Sequence, residues 1–245
     1  MVGGWGGWPA AGGACSGYLL EHDGFRLLID PGYAVLPKLL RTVAADQVDA
    51  VLVSHGHPDH CADLNPLLRA RAFMDQRPEP LPVHALSEAL DAVLALDRPS
   101  MLGDSYRLET FETGDSITIG PFAVDTALLP HPRPNAGFRI TTRGASLVYT
   151  GDAGPDPALI TLARDTDLLL AEASYADEVP ADVRGALSSA GDAARQAAEA
   201  GVKSLILTHL LPGTDRRRAL RAARDAYSGP VRLARAGLIV EVGRA

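Results

Sequence analysis

Ser54-His55-Gly56-His57-Pro58-Asp59-His60 directly follows the apolar run Val48-Asp49-Ala50-Val51-Leu52-Val53. Three imidazoles and one carboxylate fall within the six residues from His55 to His60. Neutral imidazole and carboxylate are ordinary protein ligands of zinc. A strand that ends and turns at once fans such side chains into one small volume, while neighbouring side chains leave the backbone in different directions. One ion does not comfortably take all four, so the spacing predicts two adjacent metal ions that share ligands. Hydrolysis is the chemistry such a pair supports.

A two-metal site needs further ligands, and strand ends are where rigid elements hold them. His131 follows Ala127-Leu128-Leu129-Pro130, Asp152 follows Leu147-Val148-Tyr149-Thr150-Gly151, and His209 follows Leu205-Ile206-Leu207-Thr208. Each is expected to join the first cluster. Cys61, next to His60, reads as a small buried thiol.

Composition bounds the rest. The 245 residues are 47% hydrophobic and 22% charged, which suits a globular core. A net charge of −7 argues against a nonspecific nucleic-acid binder but admits a small phosphorylated substrate. Two cysteines are too few for a disulfide scaffold. No segment approaches the roughly 18–20 apolar residues of a membrane span. The Gly-rich N-terminus has no basic stretch leading into an apolar one. A cytoplasmic protein is expected, with no membrane association.

Periodicity and breakers predict strands at Ser16–Leu20, Phe25–Ile29 and Val48–Val53, the first two joined by a hairpin at Glu21–Gly24. Helices are expected over Leu36–Ala45, Leu64–Phe73 and Ser87–Leu96, with Ser87 as N-cap and a loop at Pro78, Pro80 and Pro82. Successive β segments follow at Arg107–Phe111, Ser116–Ile119, Phe122–Leu129, Phe138–Thr142 and Ser146–Tyr149. The chain then alternates: helix Asp156–Ala163, strand Leu168–Ala171, helix Ser189–Ala200, strand Ser204–Leu207, helix Asp215–Tyr227. Two β segments, Val231–Leu233 and Leu238–Val242, close it. No linker interrupts this order, so residues 1–245 are expected to form one α/β domain of two packed sheets with helices outside.

His-x-His-x-Asp-His followed by a separate His, Asp and His resembles the metallo-β-lactamase fold superfamily, over nearly the whole chain. The resemblance implies a four-layer αββα sandwich. It also implies that His55, His57 and His131 hold one ion, that Asp59, His60 and His209 hold the other, and that Asp152 bridges. Asp30, in Leu-Leu-Ile-Asp-Pro-Gly, matches a supporting acidic residue that orients a ligand. The implied cofactor is a pair of divalent ions, Zn2+ by preference, with Mn2+ or iron as other occupants. A shared hydroxide is the implied nucleophile, with Asp59 helping to orient it.

Pro130–Ile140, Tyr149-Thr150-Gly151-Asp152, Leu170-Ala171-Glu172-Ala173-Ser174 and Leu205–His209 are similar to segments of the ribonuclease Z branch and its small phosphodiesterase relatives. That implies a small phosphodiester substrate, such as a cyclic nucleotide, and a possible homodimer. Only Pro132 to Gly151 separates the third His from the bridging Asp, which leaves no room for the branch's RNA-gripping arm. The branch also pairs the Glu of its box, here Glu172, with a His. The aligned position here is Ala186, and losing a general acid costs about 10²–10⁴-fold. A lactonase or thioesterase of the same fold is the alternative, and a weakened metal-binding protein a third. Arg133, Asn135 and Tyr175 lie in or beside these segments, and Trp5 lies in the Gly-rich Gly3–Pro9 stretch that the resemblance places by the active site; all four are expected to contact substrate. Ser189 and Asp192 have capping-box spacing, which assigns them to a helix start.

Overall fold

The computed structural model describes residues 1–243. Its strands are β1 (Tyr18–His22), β2 (Phe25–Ile29), β3 (Ala50–Leu52), β4 (Leu81–Leu86), β5 (Tyr106–Phe111), β6 (Ser116–Ile119), β7 (Phe122–Leu129), β8 (Asn135–Thr142), β9 (Ala145–Tyr149), β10 (Leu168–Glu172), β11 (Leu205–Thr208) and β12 (Val231–Leu233). Its helices are α1 (Val35–Leu39), α2 (Pro58–Cys61), α3 (Leu64–Ala72), α4 (Asp91–Leu94), α5 (Pro99–Leu102), α6 (Pro157–Leu162), α7 (Ala190–Glu199) and α8 (Arg216–Ala226). One sheet has the order β1-β2-β3-β4-β5, the other β12-β11-β10-β9-β8-β7-β6. Strands β2 to β5 run parallel, as do β9 to β12. Strands β6 to β9 form an antiparallel meander.

Strands covered on both faces must be apolar on both, so they read as continuous hydrophobic runs. Leu27, Ile29, Ala50 and Leu52 share one apolar cluster with Leu168, Leu170 and Ile206, between the sheets. The alternate residues Leu28, Val51 and Val53 cluster with Leu64, Leu67 and Leu68 of α3. Leu169, Ala171, Leu205 and Leu207 cluster with Ala193 and Ala197 of α7 and Ala219 and Ala223 of α8. Three apolar layers thus separate four layers of structure, an αββα sandwich. The candidate ligands leave the C-terminal ends of strands: residues 55–60 after β3, His131 after β7, Asp152 after β9, His209 after β11.

Four expectations are corrected. The helix over Leu36–Ala45 stops at Leu39; the Leu39 carbonyl is shared by the Thr42 and Val43 N–H groups and the Thr42 hydroxyl, and the chain then enters a 3-10 turn at Ala45–Gln47. The loop around Pro82 is instead β4; its pairing to β3 starts only at Val83, so the missing proline N–H breaks no bond to that neighbour. Strand β4 ends at Leu86 and residues 87–90 form a turn, so the expected Ser87–Leu96 helix shrinks to Asp91–Leu94 behind Leu90, and Ser87 caps nothing. Leu238–Val242 forms no strand; the amino terminus donates to the Leu238 carbonyl there.

Candidate metal centre

Pro58 begins α2, which sets Asp59 and His60 in its first turn and leaves His57 extended before it. The structure gathers two donor groups: His55, His57, His131 and Asp152, and Asp59, His60, Asp152 and His209. Within each, one ligand atom per residue lies within 4.8 Å of every other.

Outer hydrogen bonds assign the tautomers. Nδ1 of His60 donates to Asp30 Oδ2 at 2.7 Å. Nδ1 of His209 lies 3.1 Å from the Ser174 hydroxyl, and Nδ1 of His131 lies 3.3 Å from the Ala186 carbonyl. The Ser54 hydroxyl donates to Asp30, so it accepts from His55 Nδ1 at 3.1 Å. These four rings therefore present Nε2 lone pairs inward, and such partners are what fix ligand geometry in metal sites. His57 presents Nδ1, 3.0 Å from Nε2 of both His55 and His131.

In the second group, His209 Nε2 is 3.0 Å from Asp59 Oδ2 and 3.1 Å from Asp152 Oδ1. His60 Nε2 is 3.1 Å from the same Asp152 oxygen. Asp152 Oδ2 faces the first group, 3.9 Å from His55 and 4.0 Å from His131. Two ligands of one tetrahedral ion, each about 2.0–2.2 Å from it, lie about 3.4 Å apart. His60 Nε2 and Asp152 Oδ1 are buried without hydrogen-bond partners. Orphaned buried polar atoms are costly, and a divalent cation would satisfy both. The donor set fits.

Electrostatics separate the two groups. Against burial, Asp152 raises the pKa of His60 and His209, so a cation binding there displaces protons from these rings. The first group moves the other way. Burial first, then repulsion from neighbouring rings, lowers the pKa of His57 and His131, and His55 follows the same direction. These rings are neutral near pH 7, as metal ligation requires. Burial works against the charge of Asp152, but His209 and His60 overcome it and hold the carboxyl well below its usual range.

Asp30 is wholly buried and accepts from the Ser54 N–H and hydroxyl, the Tyr149 hydroxyl and His60. It and His209 both adopt left-handed backbone, φ 49° and 57°. Such conformations in side-chain-bearing residues are rare and cluster at functional sites. Glu172 touches no candidate ligand; its carboxylate accepts from the Ser174 and Ser188 N–H groups and so fixes the serine behind His209.

The four expected substrate contacts fare differently. Asn135 is corrected: it is wholly buried, and its amide donates to the Thr150 carbonyl, locking β8 to the end of β9. Trp5 pairs by backbone with Leu210 and lies under the Arg216 guanidinium. Tyr175 lines a surface groove with Asp177, Thr214 and Arg218. Arg133 is exposed, two residues beyond His131. Cys61 donates to the His57 carbonyl and is no ligand; burial pushes its thiol up to about 12. Ser54, Tyr149 and Ser174 were not legible as site residues, because their types and spacing resemble ordinary strand ends.

A profile of the Beta-lactamase superfamily domain matches residues 25–210. The probable metallo-hydrolase YhfI of Bacillus subtilis is 32% identical over 98% of each chain. Its crystal structure superposes with a TM-score of 0.90, again over 98% of each chain. A ribonuclease Z of Mycolicibacterium gilvum is 31% identical over 83% of this chain and 80% of its own. A diphosphatase of the PhnP family shares the fold at 18% identity, with a TM-score of 0.70 over 94% of this chain and 86% of that one. With its αββα layers and paired His/Asp donor groups, the chain belongs to the beta-lactamase superfamily as a metallo-hydrolase of the metallo-β-lactamase fold.

Proposed function

We propose that the chain is a dinuclear metal-dependent hydrolase acting on a small phosphodiester, such as a cyclic nucleotide. One observation carries the two-ion reading: Asp152 turns Oδ2 toward His55 and His131, and Oδ1 toward His60 and His209. His55, His57 and His131 would hold one ion, Asp59, His60 and His209 the other. Zinc suits this imidazole-rich set, with manganese or iron as other occupants. Bound there, the ions supply a water of lowered pKa and polarise the bond under attack. The chain's own groups hold the arrangement: Asp30, Ser174 and the Ala186 carbonyl keep protons on the outer nitrogens. Asp59 orients the attacking water, and Arg133 offers an exposed positive charge to an anionic substrate.

Similarity to a ribonuclease Z and to a PhnP-family diphosphatase supports a phosphorus ester. Strands β8 and β9 fill the chain between His131 and Asp152, so no long arm is available there, which supports a small substrate. A second reading, lactone or thioester hydrolysis, is favoured by Ala186. It touches His131 through its carbonyl and brings no side-chain acid to protonate a leaving group.

Metal analysis should be followed, on one sample, by parallel hydrolysis of bis(p-nitrophenyl) phosphate, a cyclic nucleotide, an acyl thioester and a lactone. Two metal equivalents with phosphodiester turnover is the expected result. Turnover of only the thioester or lactone would replace it with the second reading, and failure to take up metal would end both.

A further inference from the structure

Asp59 and His209 come from different sheets, the first from the turn after β3 and the second from the end of β11. The N-terminal glycine segment touches both. The Gly7 N–H donates to Asp59 Oδ2 at 2.7 Å, the oxygen that faces His209 Nε2. Gly6 donates its N–H to the Leu210 carbonyl and lies close against the His209 ring. A Cβ at Gly6 would sit 2.5 Å from both His209 Nδ1 and the His209 carbonyl oxygen, closer than real Cβ atoms come.

The segment is itself anchored. Gly4 and Trp5 donate to the Ala14 carbonyl, Val2 and Gly3 donate to the Gly17 carbonyl, and the Trp5 ring lies under Arg216 at 5.3 Å. It is therefore a fixed strap rather than a frayed end. None of its contacts reaches the first donor group.

We infer that residues 2–7 clamp the second metal position alone: Gly6 and Gly7 are positioning residues that fix His209 and Asp59 relative to each other. This rests on the two-ion reading above. An outer hydrogen bond to a ligating carboxylate narrows its orientation, and losing such partners typically costs about 10–100-fold in metal affinity. The asymmetry follows from the contacts: the first group is built from His55, His57 and His131, whose outer partners are Ser54 and Ala186.

Zinc titration against a competing chelator tests this on the whole 245-residue chain, with circular dichroism confirming the fold. The variants are Gly6→Ala, Gly7→Ala and Gly12→Ala. Gly12 is the strain control: it shares Gly7's φ of 69°, but an added Cβ meets nothing within 4 Å. Wild type and Gly12→Ala are expected to bind two equivalents. Gly6→Ala is expected to keep one at wild-type affinity and weaken the other by about tenfold or more. Should Gly6→Ala fail to fold, Gly7→Ala is read in the same way. Two unchanged affinities, or two equally weakened ones, would overturn the clamp while leaving the dinuclear reading intact. A wild type that takes up a single equivalent would overturn the dinuclear reading, and the clamp with it.

Discussion

At the scale of single residues, the fold sets the charge state of Glu172 by burying it. Burial, with the Asp152 charge, raises its carboxyl from 4.5 to about 8, against the His209 ring and the Ser174 donors. The folded chain thus keeps a proton that the unfolded chain releases near 4.5. Between those values the folded state binds more protons, so stability is greatest below the unfolded pKa and is lost as pH rises through about 8. The slope is at most about 1.4 kcal/mol per pH unit. Glu172→Gln removes the titration while keeping the shape. In urea unfolding of the metal-free proteins, wild type should lose stability relative to Glu172→Gln from about pH 5 to about pH 8. A difference independent of pH would show that burial does not hold the proton on. The candidate donors themselves were legible because each sits where an apolar run stops, and a carboxylate or imidazole at that point has few uses. What surrounds them was not. The Gly7 amide reaches Asp59 across 52 positions, and Tyr149 reaches Asp30 across 119. No local pattern carries such a contact.

At the scale of elements, the inner strands were read correctly because covering both faces demands unbroken hydrophobicity, and the errors fell where one residue misleads. Pro82 reads as a breaker, yet at the start of β4 it faces no N–H acceptor on β3. Leu36–Ala45 has helical composition, yet tertiary contacts bend it. Arg71 of α3 is the agent that holds this bend. Its guanidinium donates to the Ala45, Val48 and Glu79 carbonyls, tying α3 to the turn before β3 and to the approach to β4. Ala45 opens the 3-10 turn Ala45–Gln47, and its carbonyl would be stranded without this donor. Arg71→Met keeps the buried aliphatic stem and removes every donor. Buried groups left unpaired cost about 1–3 kcal/mol each, and the bonds to the Ala45 and Val48 carbonyls are the fully buried ones, so the loss should be about 2–6 kcal/mol. A denaturation midpoint within error of wild type would mean that water replaces the guanidinium at no cost.

At the scale of the whole molecule, the four layers follow from three apolar clusters that the sequence already spaces out, and the candidate metal centre lies where the two sheets meet at their strand ends. His55, His57, Asp59 and His60 come from the sheet of β1 to β5, and His131, Asp152 and His209 from the sheet of β6 to β12. Cations held by both sets would tie the sheets together without touching the apolar layer between them. Two protein bridges run beside them: Tyr149 to Asp30, and Tyr18 to Thr208, with the two tyrosine rings 5.0 Å apart. These bridges need no metal, so the metal-free chain should remain folded with its sandwich intact. Its stability should nonetheless rise with free cation by mass action, by about 2.7 kcal/mol per site at a hundredfold excess over the dissociation constant. For a chain of this length each kcal/mol is worth about 2–4 °C, so one saturated site should raise the melting temperature by about 5–11 °C. Calorimetry of chelator-treated protein, with zinc then restored in steps, reads both halves of the prediction. A cooperative transition that climbs with zinc is expected. A melting temperature indifferent to zinc would show that the donor groups hold no ion in the folded state, and a chelated chain with no cooperative transition would show that the tyrosine bridges and the apolar layers cannot hold the sheets together alone.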